Sequence, residues 1–312
     1  MKLFYKTILA ISLGLSLFLV SAQAQQTSSS RFLELHPPTG LSIVPVFEGW
    51  YGNEDGSVTF SFGFANRNSD QVVEIPLGTS NFIEPAEYDG MQPSVFDSGR
   101  HHGVFTVTLP ASMRDESVWW HIKTGNNDIL KVPGRATAAA YELDSRPRPA
   151  GTVEPKVWLE ENGEQGSGPT GIVGTLEKAV SVGTPVTLTA YAQDPSMRDP
   201  EDPRFQKPIP IRLTWSKHQG PGNVEFARHE TTQDVPPQQT TRRPDPNREP
   251  PKPGPEEVTL AEAGGTANVI ATFSEPGEYI LRIRVDNWRA PDSSGGDQCC
   301  WTNAYQRISV SE

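Results

Sequence analysis

Acidic side chains recur in two stretches in the second half of the chain, residues 194–202 and 286–297. Four of them are candidate metal ligands: Asp194, Asp199, Asp286 and Asp297. Carboxylates that converge from two loops suit calcium, which takes about six to eight oxygen ligands. The chain contains no contiguous EF-hand loop, so carboxylates that are solvated in separate loops are the competing interpretation.

The chain has two cysteines, Cys299 and Cys300, and they are adjacent. This arrangement excludes a disulfide framework and the four-ligand cysteine patterns of structural zinc. In an oxidising compartment the two thiols can close on each other. The resulting ring is strained and comparatively easy to reduce, because a trans peptide holds the two Cα atoms only about 3.8 Å apart. We predict a vicinal disulfide that stiffens its loop.

Tryptophans are the third group that could bind a ligand. Trp119 and Trp120 are neighbours on a predicted strand, so their indoles point to opposite faces and one of them is a candidate for exposure. We take Trp120, Trp288 and Trp301 as candidate ligand-binding residues, since exposed flat rings stack on sugars. The competing interpretation is that these rings fill a core or a domain interface, because aromatic side chains dominate core burial.

Two further patterns resemble functional motifs without meeting their requirements. Residues 166–171 match G-x-G-x-x-G by letter, but Pro169 interrupts the run and no helical pattern follows, so a loop is predicted. His101 and His102 point in opposite directions on a strand, and His121 can join them only through tertiary contact. The chain contains no G-x-S-x-G, H-E-x-x-H or P-loop pattern, and we predict that it is not an enzyme.

Residues 1–24 have the features of an export signal: a basic start, an apolar run over residues 8–20 and an Ala-Gln-Ala cleavage site. The apolar run is short for a membrane span, and no second long apolar segment follows. We therefore expect a secreted or periplasmic protein with no membrane span after the signal is removed.

The formal net charge of the 312 residues is −11 at pH 7. Such an acidic balance disfavours nucleic acid and anionic membranes as partners. An extracellular glycan or protein remains the expected partner class.

Short strands with alternating apolar residues separated by turn residues predict an all-β protein. Residues 32–144 are expected to form a first β-sandwich, residues 145–152 a linker and residues 153–312 a second sandwich. Residues 230–257 are rich in proline and poor in large apolar residues, which predicts a disordered insertion. No window shows a convincing helical period.

The second half resembles the PKD-type branch of immunoglobulin-like domains in exported bacterial proteins. The resemblance covers residues 184–310 and is carried by the run 215–226, which contains Gly-Pro-Gly, and by the run 271–279, which contains Glu-Pro-Gly-Glu-Tyr. It implies a core position for Trp215 and a tyrosine corner at Tyr279. The overall layout is also similar to a group of exported proteins that end in Cys-Cys-Trp-Thr-Asn and have no assigned activity, so no catalytic residue is implied.

In such a sandwich the turns at 220–222 and 276–277 share one end. The loops at 194–210, 230–257 and 286–303 then gather at the opposite end, which we call the loop pole. Loops at one end of a rigid scaffold are common binding surfaces. We therefore predict a non-catalytic binding, adhesion or structural protein, with calcium as its candidate cofactor. The alternatives are a carbohydrate-binding module that works with an extracellular enzyme, or a metal-handling protein or enzyme.

Overall fold

A computed structural model describes residues 39–69, 71–137, 139–143, 151–176, 178–203, 205–206, 209–233, 253–287 and 300–312. The described residues belong to one unit, Thr39–Glu312. The predicted export signal, most of the predicted linker and most of the predicted insertion lie outside the described residues. The same is true of Trp288, Asp297 and Cys299.

The first part of the chain forms three small antiparallel sheets around an aromatic core. Their strands are β1 (Val44–Gly52), β2 (Val58–Asn66), β3 (Val73–Glu74), β4 (Asn81–Glu84), β5 (Val95–Phe96), β6 (Gly99–Leu109), β7 (Val118–Ile122) and β8 (Leu130–Gly134). The sheet orders are β1-β2-β6, β4-β7-β8 and β3-β5. Period-two alternation places Phe60 and Phe62 of β2 in the core, where Phe62 stacks on Phe105 of β6 at 5.2 Å.

The second part forms two sheets that enclose a separate apolar core. Its strands are β9 (Lys156–Trp158), β10 (Gly166–Ser167), β11 (Ile172–Thr175), β12 (Val180–Ser181), β13 (Val186–Gln193), β14 (Ile211–Gln219), β15 (Val224–Arg228), β16 (Glu257–Leu260), β17 (Gly264–Phe273), β18 (Gly277–Asp286) and β19 (Trp301–Ser311). One sheet has the order β10-β9-β13-β17-β15 and the other β11-β19-β18-β14-β16, with β12 also paired to β19. Alternate residues of β17 and β18 fill the space between the sheets.

The protein is an all-β protein built of two β-sandwiches, and the second is immunoglobulin-like. The structured elements in the described residues that are not strands are three short 3₁₀ turns, Ala86–Tyr88, Ala111–Met113 and Ala139–Tyr141. In this part of the chain no helix is long and apolar enough to cross a membrane.

The two Pro-Gly turns of the second sandwich lie together, as predicted. The amide of Ser274 donates to the carbonyl of Asn223 at 3.0 Å, and a Cβ added to Gly277 would lie 2.8 Å from Cγ of Pro221. Trp215 is buried, and the hydroxyl of Tyr279 donates to the carbonyl of Glu275 at 2.8 Å, which is the tyrosine-corner contact.

Loops at the opposite end also meet, but they meet on the segment that enters the second sandwich. The amide of Val153 donates to Oγ of Ser196 at 3.0 Å, and its carbonyl accepts from Nδ2 of Asn287 at 3.1 Å. This segment occupies part of the loop pole, which the sequence alone does not indicate.

Candidate functional site

The three residues Trp301, Thr302 and Asn303 at the start of β19 contact several parts of the chain, and we call them the hub segment. All three are buried. They lie where β18, the glycine-rich run 166–171, the entry segment near Pro155 and the first sandwich meet.

Asn303 is the polar centre of the hub segment. Its side-chain oxygen accepts from Nε of Arg282 at 2.9 Å. Its amide nitrogen donates to the carbonyl of Gly103 in the first sandwich at 2.8 Å and to that of Pro169 at 2.7 Å. One buried side chain therefore joins both sandwiches and the glycine-rich loop, and its hydrogen-bonding groups are satisfied.

Trp301 supplies the apolar part of the same contact. Its ring is 2 % exposed and lies under the guanidinium of Arg284 at 4.7 Å. The indole also approaches Gly103 so closely that a Cβ added there would overlap Cζ2 of the ring. Gly103 is thus required by close approach as well as by its φ of +49°.

Thr302 ties the glycine-rich run to β19. Its hydroxyl donates to the carbonyl of Pro155 and accepts from the amide of Gly168 at 2.9 Å. A Cβ on Gly171 would overlap the carbonyl oxygen of Asn303. Gly171 of the G-x-G-x-x-G run is therefore explained by its close approach to β19.

Buried titratable groups surround the hub segment. Burial lowers the pKa of Arg282 to about 10, so its guanidinium stays charged at neutral pH, and its Nη2 donates to the carbonyl of Gly103 at 3.2 Å. Burial raises the pKa of Tyr305 to about 12, so its hydroxyl remains protonated and donates to the carbonyl of Val104 at 2.7 Å. These groups extend the interface along the outer face of the second sandwich.

His218 belongs to the same interface. Its Nε2 lies 2.8 Å from the carbonyl of Met91, its ring meets Tyr305 at 5.3 Å, and its carbonyl accepts from the amide of Ser94 at 2.9 Å. Burial lowers the pKa of His218 from the ordinary 6.5 to about 4, with the hydrogen bond to Met91 acting in the opposite direction and the charge of Arg282 in the same direction as burial.

We expect the His218 contribution to stability to be complete above pH 6.5 and to be lost between about pH 6.5 and 4, because the unfolded chain takes up the proton first. The loss should amount to a few kcal/mol. Urea denaturation from pH 4 to 7.5 measures it, with His218→Gln as the comparison because glutamine keeps a donor for Met91. Equal pH dependence of the two proteins would exclude the effect.

The structure gives each described candidate metal ligand a different neighbour. Oδ2 of Asp194 lies 2.8 Å from Nη1 of Arg198, and Oδ2 of Asp286 lies 3.0 Å from Nη2 of Arg212. Asp199 is exposed and accepts from the amide of Glu201 at 2.9 Å. Among the described residues no three metal-ligating groups converge. The calcium site stays a prediction. To bind calcium, Asp194 and Asp286 would first have to release their arginine partners.

Two of the three candidate ligand-binding tryptophans are buried. Trp120 has no exposed area and donates from Nε1 to Oδ1 of Asn81 at 3.0 Å, and Trp301 lies in the interface. Neither indole offers a face to a sugar. Trp120 is buried in the core of the first sandwich and Trp301 in the interface. Trp119 is the partly exposed member of the adjacent pair, and its ring faces Lys131 and Arg135.

The remaining predicted groups do not come together. His101 stacks on Phe64 at 4.7 Å and burial lowers its pKa, while His121 stacks on Phe82 at 4.4 Å and His102 is exposed. Cys300 is buried, and the predicted bridge to Cys299 involves a residue outside the described part, so it stays a prediction.

Sequence reasoning missed Arg282, Asn303 and Gly103 as a joint feature. Alternation does place Arg282 and Arg284 on the outer face of β18, opposite the core. The available signal was the position of these two arginines at alternate residues on a face whose pattern is typical of solvent exposure. Nothing in the local sequence indicates that the other sandwich covers them.

No protein-family model matches the chain, and no curated protein matches it. Among solved structures, 86 % of the chain aligns with 98 % of a protein of unknown function from Porphyromonas gingivalis W83 at 11 % identity and a TM-score of 0.24. It aligns over 87 % of its length with all of the D00-D0 domain of intimin at 10 % identity and a TM-score of 0.24. Over 86 % it aligns with 87 % of CfaE, the adhesive subunit of CFA/I fimbria of enterotoxigenic Escherichia coli, at 7 % identity and a TM-score of 0.26. Similarity at this level carries no argument about function.

The fold and the hub segment together define a class of protein: a tandem of two β-sandwiches whose facing surfaces are held by a buried polar cluster. The second sandwich contributes the outer face of β18 and β19 to this contact, and the first contributes the backbone of Gly103 and Val104.

Proposed function

We propose that this chain is an exported, non-catalytic structural or adhesion protein whose two sandwiches act as one fixed tandem. Its compartment is secreted or periplasmic, and its partner is an extracellular glycan or protein. The observation that supports this proposal best is the hub segment, in which Asn303 and Arg282 both bind the carbonyl of Gly103.

The energetics of these contacts explain why the tandem should be fixed. The guanidinium of Arg282 is buried with the amide of Asn303, and separating the sandwiches would remove the Gly103 carbonyl from both donors. Hydrogen bonds of a charged group contribute about 1.5–3 kcal/mol each. The apolar contact of Trp301 adds to this, so independent motion of the sandwiches is unfavourable.

A fixed tandem suits transmission of force or presentation of a surface at a set distance. The buried side chains of Arg282, Asn303 and Tyr305 are engaged in joining the two sandwiches. These observations support a mechanical or binding role for the chain.

Calorimetry of Gly103→Ala tests the proposal. The unmodified mature chain is expected to unfold in one transition. In the variant, the added Cβ should displace Trp301 and lower the free energy of unfolding by about 1–3 kcal/mol. The two sandwiches should then unfold in separate transitions. Gly125→Ala is the matched control, because Gly125 has a similar φ of +54° with open space around it.

A Gly103→Ala variant that unfolds in one transition, with the same midpoint as Gly125→Ala, would contradict the fixed tandem. Small-angle scattering of the two variants provides a second readout, since a released tandem has a broader distribution of interatomic distances than a fixed one.

A further inference from the structure

A groove of about 850 Å³ opens beside β14, between the outer face of the second sandwich and the first sandwich. Its volume is within the range of pockets that bind small ligands. The floor carries side chains from β14 and β18, and one wall carries Glu74 and Asp97 of the first sandwich.

The strand register makes the floor rich in hydrogen-bond donors. Thr214 of β14 lies opposite Arg284 of β18, and Ser216 lies opposite Arg282. Because these residues share the outward face, two successive rows of the sheet each pair a hydroxyl with a guanidinium. Both rows line the groove.

The charges in the groove are unevenly compensated. Arg212 lies 3.0 Å and Arg284 lies 3.5 Å from Asp286, which the two guanidinium groups share, and Lys217 lies 2.7 Å from Glu74. Arg282 is different, because its contacts in the described part of the chain are the neutral oxygens of Asn303 and Gly103. A buried cation with neutral partners gains more than a solvated one from an incoming anion.

Trp215 lies on the opposite face of β14 from the groove floor. Its side chain is 1 % exposed and belongs to the core between the two sheets. Because successive side chains of a strand alternate between its faces, Thr214 and Ser216 are the β14 residues whose side chains share the outward face with Arg282 and Arg284.

The distribution of donors and acceptors favours a sugar. Each sugar hydroxyl both donates and accepts, and the groove offers donors on its floor and the carboxylates of Glu74, Asp97, Glu256 and Glu257 on its walls. A peptide that extends the sheet would need an open strand edge. Here β16 already pairs with β14 from Ile211 to Thr214, and the carbonyl of His218 is occupied by Ser94.

We propose that this groove binds a short acidic oligosaccharide, with the carboxylate of one uronate on Arg282 and Arg284 and the sugar hydroxyls shared by Ser216, Thr214 and the acidic wall. The net charge of −11 argues against a densely charged polymer, which would be repelled at long range. The proposal rests on the fixed tandem, because both sandwiches form the groove.

Isothermal titration of the full mature chain tests this site with two uronate probes, aldotriouronic acid and trigalacturonic acid, and with neutral xylotriose. Binding of a uronate probe at least tenfold tighter than xylotriose is expected. Arg284→Gln should weaken uronate binding about tenfold or more, and Ser216→Ala should weaken it several-fold. Arg307→Gln is the matched control, because Arg307 is an exposed arginine of β19 outside the groove and should leave affinity unchanged.

Absence of uronate binding at millimolar concentration would overturn the proposal, and so would equal affinity for xylotriose. Tighter binding of an acidic tripeptide would replace the sugar by a peptide ligand. An equal loss in Arg307→Gln and Arg284→Gln would show that only general charge matters. Calorimetry tests the tandem separately. If the unmodified chain unfolds in one transition and Gly103→Ala in separated transitions, but no uronate binds, this site alone is removed.

Discussion

Replacement of Trp120 by alanine is expected to lower the free energy of unfolding by about 3–5 kcal/mol, the cost of a large cavity in a closed core. Trp120 has no exposed area, and its indole packs edge-on against Phe105 at 4.9 Å and Phe62 at 6.2 Å. Phe96 closes a further side at 6.4 Å. These rings come from three different strands, so the core cannot close the cavity by moving one side chain.

The polar end of Trp120 can be separated from its bulk with Trp120→Phe. The phenyl ring keeps most of the packing but leaves Oδ1 of Asn81 without its donor, while Nδ2 of Asn81 still binds the carbonyls of Ile75 and Pro93. An unsatisfied buried acceptor costs about 1–3 kcal/mol. Urea denaturation followed by far-UV circular dichroism should therefore rank the alanine variant below the phenylalanine variant.

A Trp120→Ala protein as stable as the unmodified chain would contradict this assignment. If that protein had also lost binding to a glycan array, the ligand role predicted from the sequence would be restored to Trp120. The two readouts thus distinguish a core residue from a binding residue.

Gly171→Ala is expected to disrupt the start of β11 and to destabilise the second sandwich by several kcal/mol. Gly171 has a φ of +60°, and a Cβ there would overlap the backbone oxygen of Asn303, which cannot rotate away as a side chain could. Relief requires β11 to move from β19, to which it pairs from Ile172 onward. The glycine-rich loop and the interface should loosen together.

Gly168→Ala is the control for the backbone conformation. Gly168 has a φ of +72° in the same loop, but nothing lies within 4 Å of an added Cβ. Its substitution should cost only the left-handed strain of about 1–2 kcal/mol. Hydrogen exchange of the β11 amides, together with urea denaturation, measures both variants. Similar losses in the two would show that overlap with Asn303 is unimportant.

The strongest alternating patterns gave correct strands. Val269, Ala271 and Phe273 of β17 and Leu281, Ile283 and Val285 of β18 face the core as predicted. The contact between the two Pro-Gly turns followed from the immunoglobulin-like arrangement and is also present. Here the pattern sufficed because each strand has one apolar face and a turn of defined geometry.

Other features could not be read from local sequence. β11 and β12 are short and pair in parallel with β19, so neither an alternating run nor a hairpin turn indicates them. The alternation of neighbouring indoles shows that Trp119 and Trp120 point apart, but it does not show which one points inward. Trp301 is buried by a distant part of the chain, and a strand covered in this way has the same local pattern as one with an exposed aromatic ring.

The contacts that close the interface join residues far apart along the chain: Arg282 with Gly103, Asn303 with Gly103, and Tyr305 with Val104, at separations of 179, 200 and 201 residues. Closure over such distances gives folding a large entropic barrier and a slow rate. Docking of the sandwiches must therefore be a late kinetic event that follows formation of β19. Until that docking step, the two halves of the chain can move independently of each other.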